Sequence, residues 1–289
     1  MGAAGVRTAV IVSTYNQPGW LEKVLWGFAA QADAGFELLV ADDGSGPDTA
    51  RLVEAARPAF GARLRHLWQE DRGFGKCEIV NKAIAATEAD YVVFTDGDCI
   101  PGRDFVATHR RLARRGRFLS GGVVWLPRAL SGRVTREDAV TGRLESARWL
   151  VANGWPGGRD RLRLVRSPVL AGLLDALTPT GATFNGHNAS VGREALLAVN
   201  GFDAEMGYGG LDRALGERLR NLGVLGLQVR HRARTFHLDH DRPYRDPEVV
   251  RRNREIRQRI RERGEVRARA GIAELAEAAV ELTGGPPGS

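Results

Sequence analysis

The sequence predicts an α/β protein: one large domain on a mostly parallel sheet with helices on both faces. Three observations carry this expectation. Short β-favouring runs alternate with helical stretches along the first hundred residues. The connections are a few residues long, as successive β-α-β units require. Polar clusters fall where the strands end, and right-handed crossovers gather those ends on one edge of the sheet.

Taken in order, Thr8-Ala-Val-Ile-Val-Ser13 reads as a buried strand. Thr14-Tyr15-Asn16 follows, and Pro18 opens a helix to about Ala30 from the first-turn position proline tolerates. Phe36 to Ala41 is a second strand ending in Asp42-Asp43-Gly44-Ser45, after which Pro47 opens a second helix. Leu64 to Leu67 is a weaker strand, Glu70 to Gly75 a loop, and Lys76 to Ala86 a helix. The fourth strand, from Tyr91, runs into Asp96-Gly97-Asp98 and stops at Pro101.

That last stretch organises the chain. Side chains two apart on an extended segment point the same way, and Gly97 lets the backbone approach a ligand closely. Two hard oxygen donors suit a divalent cation, and such a cation suits a diphosphate. Asp-Gly is also a common turn pair. The ligand-binding reading gains because the clusters at 14–16, 42–43 and 96–98 all converge on one sheet edge.

The second half is less regular. Phe118 to Leu126 reads as a strand, Glu137 to Val151 as a helix, and Asn153 to Pro168 as a Gly-, Pro- and Arg-rich loop. Trp155 within it is either a stacking platform for a sugar ring or a partly buried aromatic. A helix at Arg193 to Val199 follows Thr183-Phe-Asn-Gly-His-Asn-Ala-Ser-Val191. Glycines around Tyr208 mark a close-approach loop leading to Asp212, which starts a helix to about Leu222. A carboxylate at a helix N-terminus has a lowered pKa and a fixed orientation, although an ordinary first-turn aspartate fits the position as well. Two short strands from Leu225 to Phe236 end in His237-Leu-Asp-His240. Two histidines three apart can face one metal where the backbone turns, or simply be hydrogen-bonded. Beyond Tyr244 the chain reads as charged and helical, with a frayed end at 284–289.

Composition narrows the function classes. At 289 residues, 43% hydrophobic and 27% charged, the chain can bury a sizeable core. Two cysteines, Cys77 and Cys99, imply neither a disulfide framework nor a thiolate zinc site. No apolar run approaches the roughly 20 residues that span a bilayer, and no signal pattern opens the chain, so a cytoplasmic location is expected. The net charge of +7 sits largely on helix-spaced arginines. Peripheral contact with an anionic membrane stays open, although the basic run 251–269 shows no clear apolar face with Trp or Phe. Nucleic-acid binding is the weakest reading, since no basic stripe interleaves with aromatics. Neither a G-x-x-x-x-G-K-[ST] loop nor a G-x-G-x-x-G turn follows the first strand. An anion would instead be neutralised by metal and by side chains such as Arg72 and Lys76.

Val10-Ile-Val-Ser-Thr-Tyr-Asn16, Val40-Ala-Asp-Asp-Gly-Ser45 and Phe94-Thr-Asp-Gly-Asp98 resemble family 2 glycosyltransferases of the GT-A (Rossmann-like) fold. Gly186-His-Asn-Ala-Ser190, Asn200-Gly-Phe-Asp203 and Gly207-Tyr-Gly-Gly-Leu-Asp212 resemble the C-terminal region of β-1,4-galactosyltransferases and related hexosaminyltransferases. The resemblance implies a nucleotide-sugar-binding half (1–101), an acceptor-binding and catalytic half (102–245) and a C-terminal helical extension (246–289). It implies that Thr14 and Tyr15 line the nucleotide pocket and that Asp42, with Asp43 beside it, contacts the base. Lys76 would reach the diphosphate, with Asn81 one turn further on. Asp96 and Asp98 match the family's Asp-x-Asp, Asp98 being the direct metal ligand. Gly209 and Gly210 match the loop lining donor and acceptor, Asp212 the catalytic base, and His240 and His237 the late metal ligands. One departure stands out: Leu211 replaces the usual Glu before the base.

The expected activity is metal-dependent inverting transfer from a nucleotide donor, a UDP-sugar first among them, to a hydroxyl of a glycan or small molecule, with Mn²⁺ or Mg²⁺. The rival is a nucleotide-sugar-binding protein whose catalysis is impaired, motivated by Leu211. A nucleotidyltransferase is disfavoured because Ser13-Thr-Tyr-Asn-Gln-Pro18 lacks a Gly-rich basic loop after the first strand.

Overall fold

The computed structural model describes residues 6–241 and 246–275; the expected frayed end at 284–289 lies outside them. The first half follows the expected alternation: β1 (Thr8–Thr14), α1 (Pro18–Ala29), β2 (Phe36–Asp42), α2 (Pro47–Phe60), β3 (Leu64–Trp68), α3 (Lys76–Ala86) and β4 (Tyr91–Asp96). The second half comprises β5 (Cys99–Pro101), α4 (Phe105–Leu112), β6 (Arg117–Ser120), β7 (Gly122–Trp125), α5 (Arg128–Arg133), α6 (Arg136–Thr141), α7 (Ala147–Ala152) and α8 (Pro168–Leu177). It continues through β8 (Ala189–Gly192), α9 (Arg193–Ala198), α10 (Leu211–Asn221), β9 (Leu225–Gln228), β10 (Arg234–His237) and α11 (Pro247–Arg263).

Seven strands form one sheet in the order β3-β2-β1-β4-β8-β6-β9, and β5-β10-β7 form a second. In the large sheet only β8 runs against its neighbours. The central strands are buried on both faces, and their side chains alternate between two cores. Ala9, Ile11, Val92 and Phe94 pack with residues of α3, α9, α10 and α11 on one face. Val10, Val12, Tyr91 and Val93 pack with α1, α2 and α4 on the other. The parallel register pairs Thr14 with Asp42 and Ser13 with Asp96. The three polar clusters therefore do share one sheet edge.

The second half departs from the pattern expected of it. The run Phe118–Leu126 is two strands in different sheets, because the chain changes sheet at Gly121. A Cβ there would stand 1.9 Å from the Asn188 side chain, so the crossing needs glycine. The helix expected over Glu137–Val151 breaks at Gly142 (φ +76) and restarts at Ser146, whose side chain accepts from the Trp149 amide. The stretch taken as a loop up to Pro168 contains a 3-10 turn over 158–164, and α8 follows it. β8 went unforeseen because its four residues carry little pattern. A buried polar chain fixes it: Tyr91 Oη and His109 Nδ1 both meet Ser190 Oγ, and His109 Nε2 meets Asn188 Oδ1. Asn188 Nδ2 in turn donates to the Gly122 and Ala233 carbonyls, which lie at the second sheet. Burial lowers the His109 pKa to about 4, so the ring stays neutral.

Candidate active site

The site is assembled where β1 and β4 end, with α3, α10 and β10 closing around it. Gly97 donates its amide to the Ser13 carbonyl (2.8 Å), and a Cβ on it would press against Thr14. Glycine thus lets the ends of β1 and β4 close together. Asp96 Oδ1 accepts from Ser13 Oγ (2.8 Å) and from Lys76 Nζ (2.6 Å). Burial works against the Lys76 charge, but Asp96, Asp212 and Asp98 outweigh it and raise the ammonium's pKa.

Asp98 faces the end of β10. Its Oδ2 accepts from His240 Nε2 at 2.7 Å, and His237 Nε2 stands 3.5 Å away. The two imidazoles are nearly parallel, with centroids 5.8 Å apart. Asp98 and His237, called from sequence, share this corner with Cys99, which was not: one ligand atom from each lies within 4.8 Å of the others. Cys99 donates its S–H to Asp98 Oδ1. Burial and the adjacent carboxylates push the thiol pKa well above its usual value, so it is a poor ligand. Burial would raise the Asp98 pKa, but the histidines and Cys99 overcome this and hold it at about 2. A carboxylate that stays ionised beside two imidazoles fits a hard-to-borderline divalent cation such as Mn²⁺.

Asp212 sits in the first turn of α10, after Gly209 (φ +106) and Gly210 (φ +91). These backbone angles favour glycine. The carbonyls of residues 207–209 all accept from Asn253 Nδ2 of α11, which pins the loop. Oδ1 of Asp212 is buried without a well-formed hydrogen bond among the described residues. A Cβ at Gly186 would meet it at 2.4 Å. The helix N-terminus was expected to lower the Asp212 pKa; burial wins instead and raises it, against the pull of Lys76. Leu211 is 4% exposed and packs in the core with Met206 and Cys77.

The remaining residues named from the sequence are placed as follows. Tyr15 is exposed and donates to Asp71. Thr14 is buried, and its hydroxyl has no hydrogen-bond partner among the described residues. Asp42 is sealed in, accepting from the Ser45 amide (2.8 Å) and meeting His66 Nε2 (2.9 Å). Asp43 accepts from Gln69 and the Gly75 amide, and burial lifts its pKa to about 6. Asn81 is fully buried and spends its amide on the Phe202 backbone, holding the 200–203 turn against α3. Arg72 is exposed and paired with Glu70. Trp155 is buried and donates to the Trp125 carbonyl. Trp125 itself lies beside His237 with 45% of its surface exposed. Sequence reasoning also missed His187, whose pKa burial lowers against the opposing pull of Asp96 and Asp98. The only available signal for it was its place in Gly186-His-Asn188.

Residues 9–137 match the model for glycosyl transferase family 2. A validoxylamine A glucosyltransferase of Streptomyces hygroscopicus subsp. jinggangensis is 26% identical over 230 residues, covering 75% of this chain and 52% of that protein. The chain spans about half the length of such curated relatives. Among solved structures, Staphylococcus aureus TarS 1-349 in complex with UDP-GlcNAc superposes with a TM-score of 0.60 at 17% identity, covering 93% of this chain and 69% of that one. The mannosyltransferase PcManGT of Pyrobaculum calidifontis, in complex with GDP-Man and Mn²⁺, gives 0.55 at 21% identity, covering 84% and 60%. The fold is that of GT-A glycosyltransferases, and the family model and curated relatives support a family 2 glycosyltransferase.

Proposed function

We propose that this chain is a metal-dependent, inverting glycosyltransferase that takes a sugar from a nucleoside-diphosphate donor, UDP first among them, to a hydroxyl acceptor. The observation that carries the reading is a division of labour at one sheet edge. Asp98, His240 and His237 offer a cation corner, Lys76 and Asp96 a charged pair beside it, and Asp212 a buried, poorly hydrogen-bonded carboxylate within electrostatic reach of Lys76 and Asp96.

A divalent cation held by Asp98, His240 and His237 would supply positive charge opposite the leaving diphosphate. Lys76 adds a fixed positive charge where negative charge develops on the leaving oxygen. Asp212 accepts the proton of the acceptor hydroxyl as its oxygen bonds to the anomeric carbon and the bond to the diphosphate breaks. Attack opposite the leaving group inverts that carbon. The raised pKa suits Asp212 to the task, since a more basic carboxylate takes the proton more readily. The likeness of the second half to β-1,4-galactosyltransferases belongs to this proposal, supported by the glycine loop that delivers Asp212.

Leu211 favours a second reading, binding without transfer, because it removes a carboxylate next to the base. Its burial in the core argues for transfer: the side chain does not intrude on Asp212. Calorimetric titration of UDP with Mn²⁺ and with chelator, repeated on Asp98→Ala, tests the donor site. Metal-dependent binding that the variant loses is expected; absence of binding in both conditions overturns the reading. Donor binding with neither transfer nor donor hydrolysis over a broad acceptor panel would select the second reading.

A further inference from the structure

We propose that the outward face of α8 seats the protein on an anionic lipid surface. α8 is amphipathic in the inverse sense. Its buried side carries Ala171 and Asp175, while Val169 (74% exposed), Leu170 (47%), Leu173 (55%) and Leu177 (77%) point outward. At about 100° per residue, these four aliphatics span an arc of about 100°, opposite the buried pair. The preceding turn adds Leu162, 48% exposed.

The inversion is held in place. Asp175, the acid that would ordinarily face water, accepts from the His231 amide and from Arg232 Nε (2.6 Å), and meets His231 Nδ1 at 3.0 Å. Ser167 caps the helix start. The Arg234 guanidinium, bound to the carbonyls of Arg163 and Val165, ties the preceding turn to β10. The leucines are therefore outward because the polar side is anchored inward, and α8 cannot roll over without breaking a buried ion pair.

Charge identifies the occupant. Between residues 156 and 180 the exposed charged side chains are Arg159, Arg161 and Arg166. Asp160 is engaged by Arg163 and Asp175 is buried. An aliphatic face in a segment whose exposed charges are all arginines matches the boundary between acyl chains and anionic headgroups, where each basic residue adds attraction. A symmetric pair of copies meeting on this face would set the same arginines against one another, which disfavours a dimer.

Co-sedimentation with vesicles of phosphatidylcholine, alone or with about one-third phosphatidylglycerol, tests the proposal at about 0.1 M salt, where surface charges still act. The expected result is at least about tenfold stronger partitioning to the anionic vesicles. Leu173→Glu with Leu177→Glu should abolish it, and Arg161→Glu with Arg166→Glu should remove the preference for anionic lipid. Both pairs are on the surface, so an unchanged melting curve separates lost docking from lost fold. The proposal is overturned by absent binding of the unaltered protein or by undiminished binding of the leucine variant. It is equally overturned if light scattering finds a dimer without vesicles that the leucine variant dissociates. No donor or acceptor enters the assay, so its outcome is independent of the transferase reading.

Discussion

The indole of Trp125 lies against the imidazole of His237, with ring centroids 4.1 Å apart and planes tilted by 35°. The two residues are also register partners in the small sheet, where β7 runs parallel to β10. The contact limits the rotation of a ring that must present Nε2 toward Asp98. Groups that orient a metal ligand commonly matter about 10–100-fold in metal affinity. Trp125→Ala is therefore expected to raise the Mn²⁺ concentration for half-maximal transfer about tenfold or more, and Trp125→Phe to recover most of it. A metal titration of donor binding checks this. Unchanged metal dependence in the alanine variant would remove His237 from the cation corner.

Asp212 governs the second expectation. If it is the base, Asp212→Asn lowers kcat by about 10²–10⁴ while calorimetry finds donor affinity preserved. The pH dependence has a definite sign. Burial raises the Asp212 pKa, so the protonated, inactive form persists to higher pH than for an ordinary aspartate. The rate should rise with pH through that elevated value, and the acid limb should vanish from the residual activity of Asp212→Asn. A full rate in the asparagine variant would exclude Asp212 as base.

The first half was legible because each strand and helix satisfies its own local rule. The centres of the first and fourth strands, Ala9–Val12 and Tyr91–Phe94, are continuously apolar, as strands buried on both faces must be, and Pro18 and Pro47 do sit in the first turns of α1 and α2. The convergence of the clusters at 14–16, 42–43 and 96–98 on one sheet edge followed from topology, whereas Lys76 was named only as a side chain that would neutralise an anion. What was not legible depended on distant partners. The hydrogen bonds that Asp42 makes with His66 and Asn81 with the Phe202 backbone could not be read locally. The sheet change at Gly121 is set by Asn188, more than sixty residues away. Trp125 ends a β-favouring run and Trp155 lies in a Gly- and Pro-rich stretch, yet packing buries the loop residue and leaves the strand residue exposed.

The glycine loop before Asp212 is held from α11 by a single amide. Asn253 is 1% exposed, and its Nδ2 serves the carbonyls of Gly207 (2.9 Å), Tyr208 (3.3 Å) and Gly209 (2.9 Å). Asn253→Ala leaves those carbonyls without this donor, at a cost of about 1–3 kcal/mol. It should also loosen the approach to α10. Chemical denaturation is expected to register the stability loss, and steady-state kinetics a rise in KM together with a fall in kcat. A stability loss with unaltered kinetics would mean the loop keeps its shape without Asn253.

Arg218 and Asp203 form an ion pair at 2.5 Å with neither side chain exposed. It joins α10 to the turn that Asn81 holds, so it ties the helix bearing Asp212 to the first half of the sheet. Nε and Nη1 of Arg218 have no further hydrogen-bond partner among the described residues, and burial lowers the guanidinium pKa despite Asp203. Two charges in so dry a place recover their desolvation cost only through each other. Asp203→Ala, which strands the guanidinium, is expected to cost about 3–5 kcal/mol in urea unfolding. The double change Asp203→Leu with Arg218→Met replaces the pair by apolar groups and should cost markedly less. If the single variant unfolds at nearly the unaltered urea concentration, water or another acceptor reaches Arg218, and the pair does not fix α10.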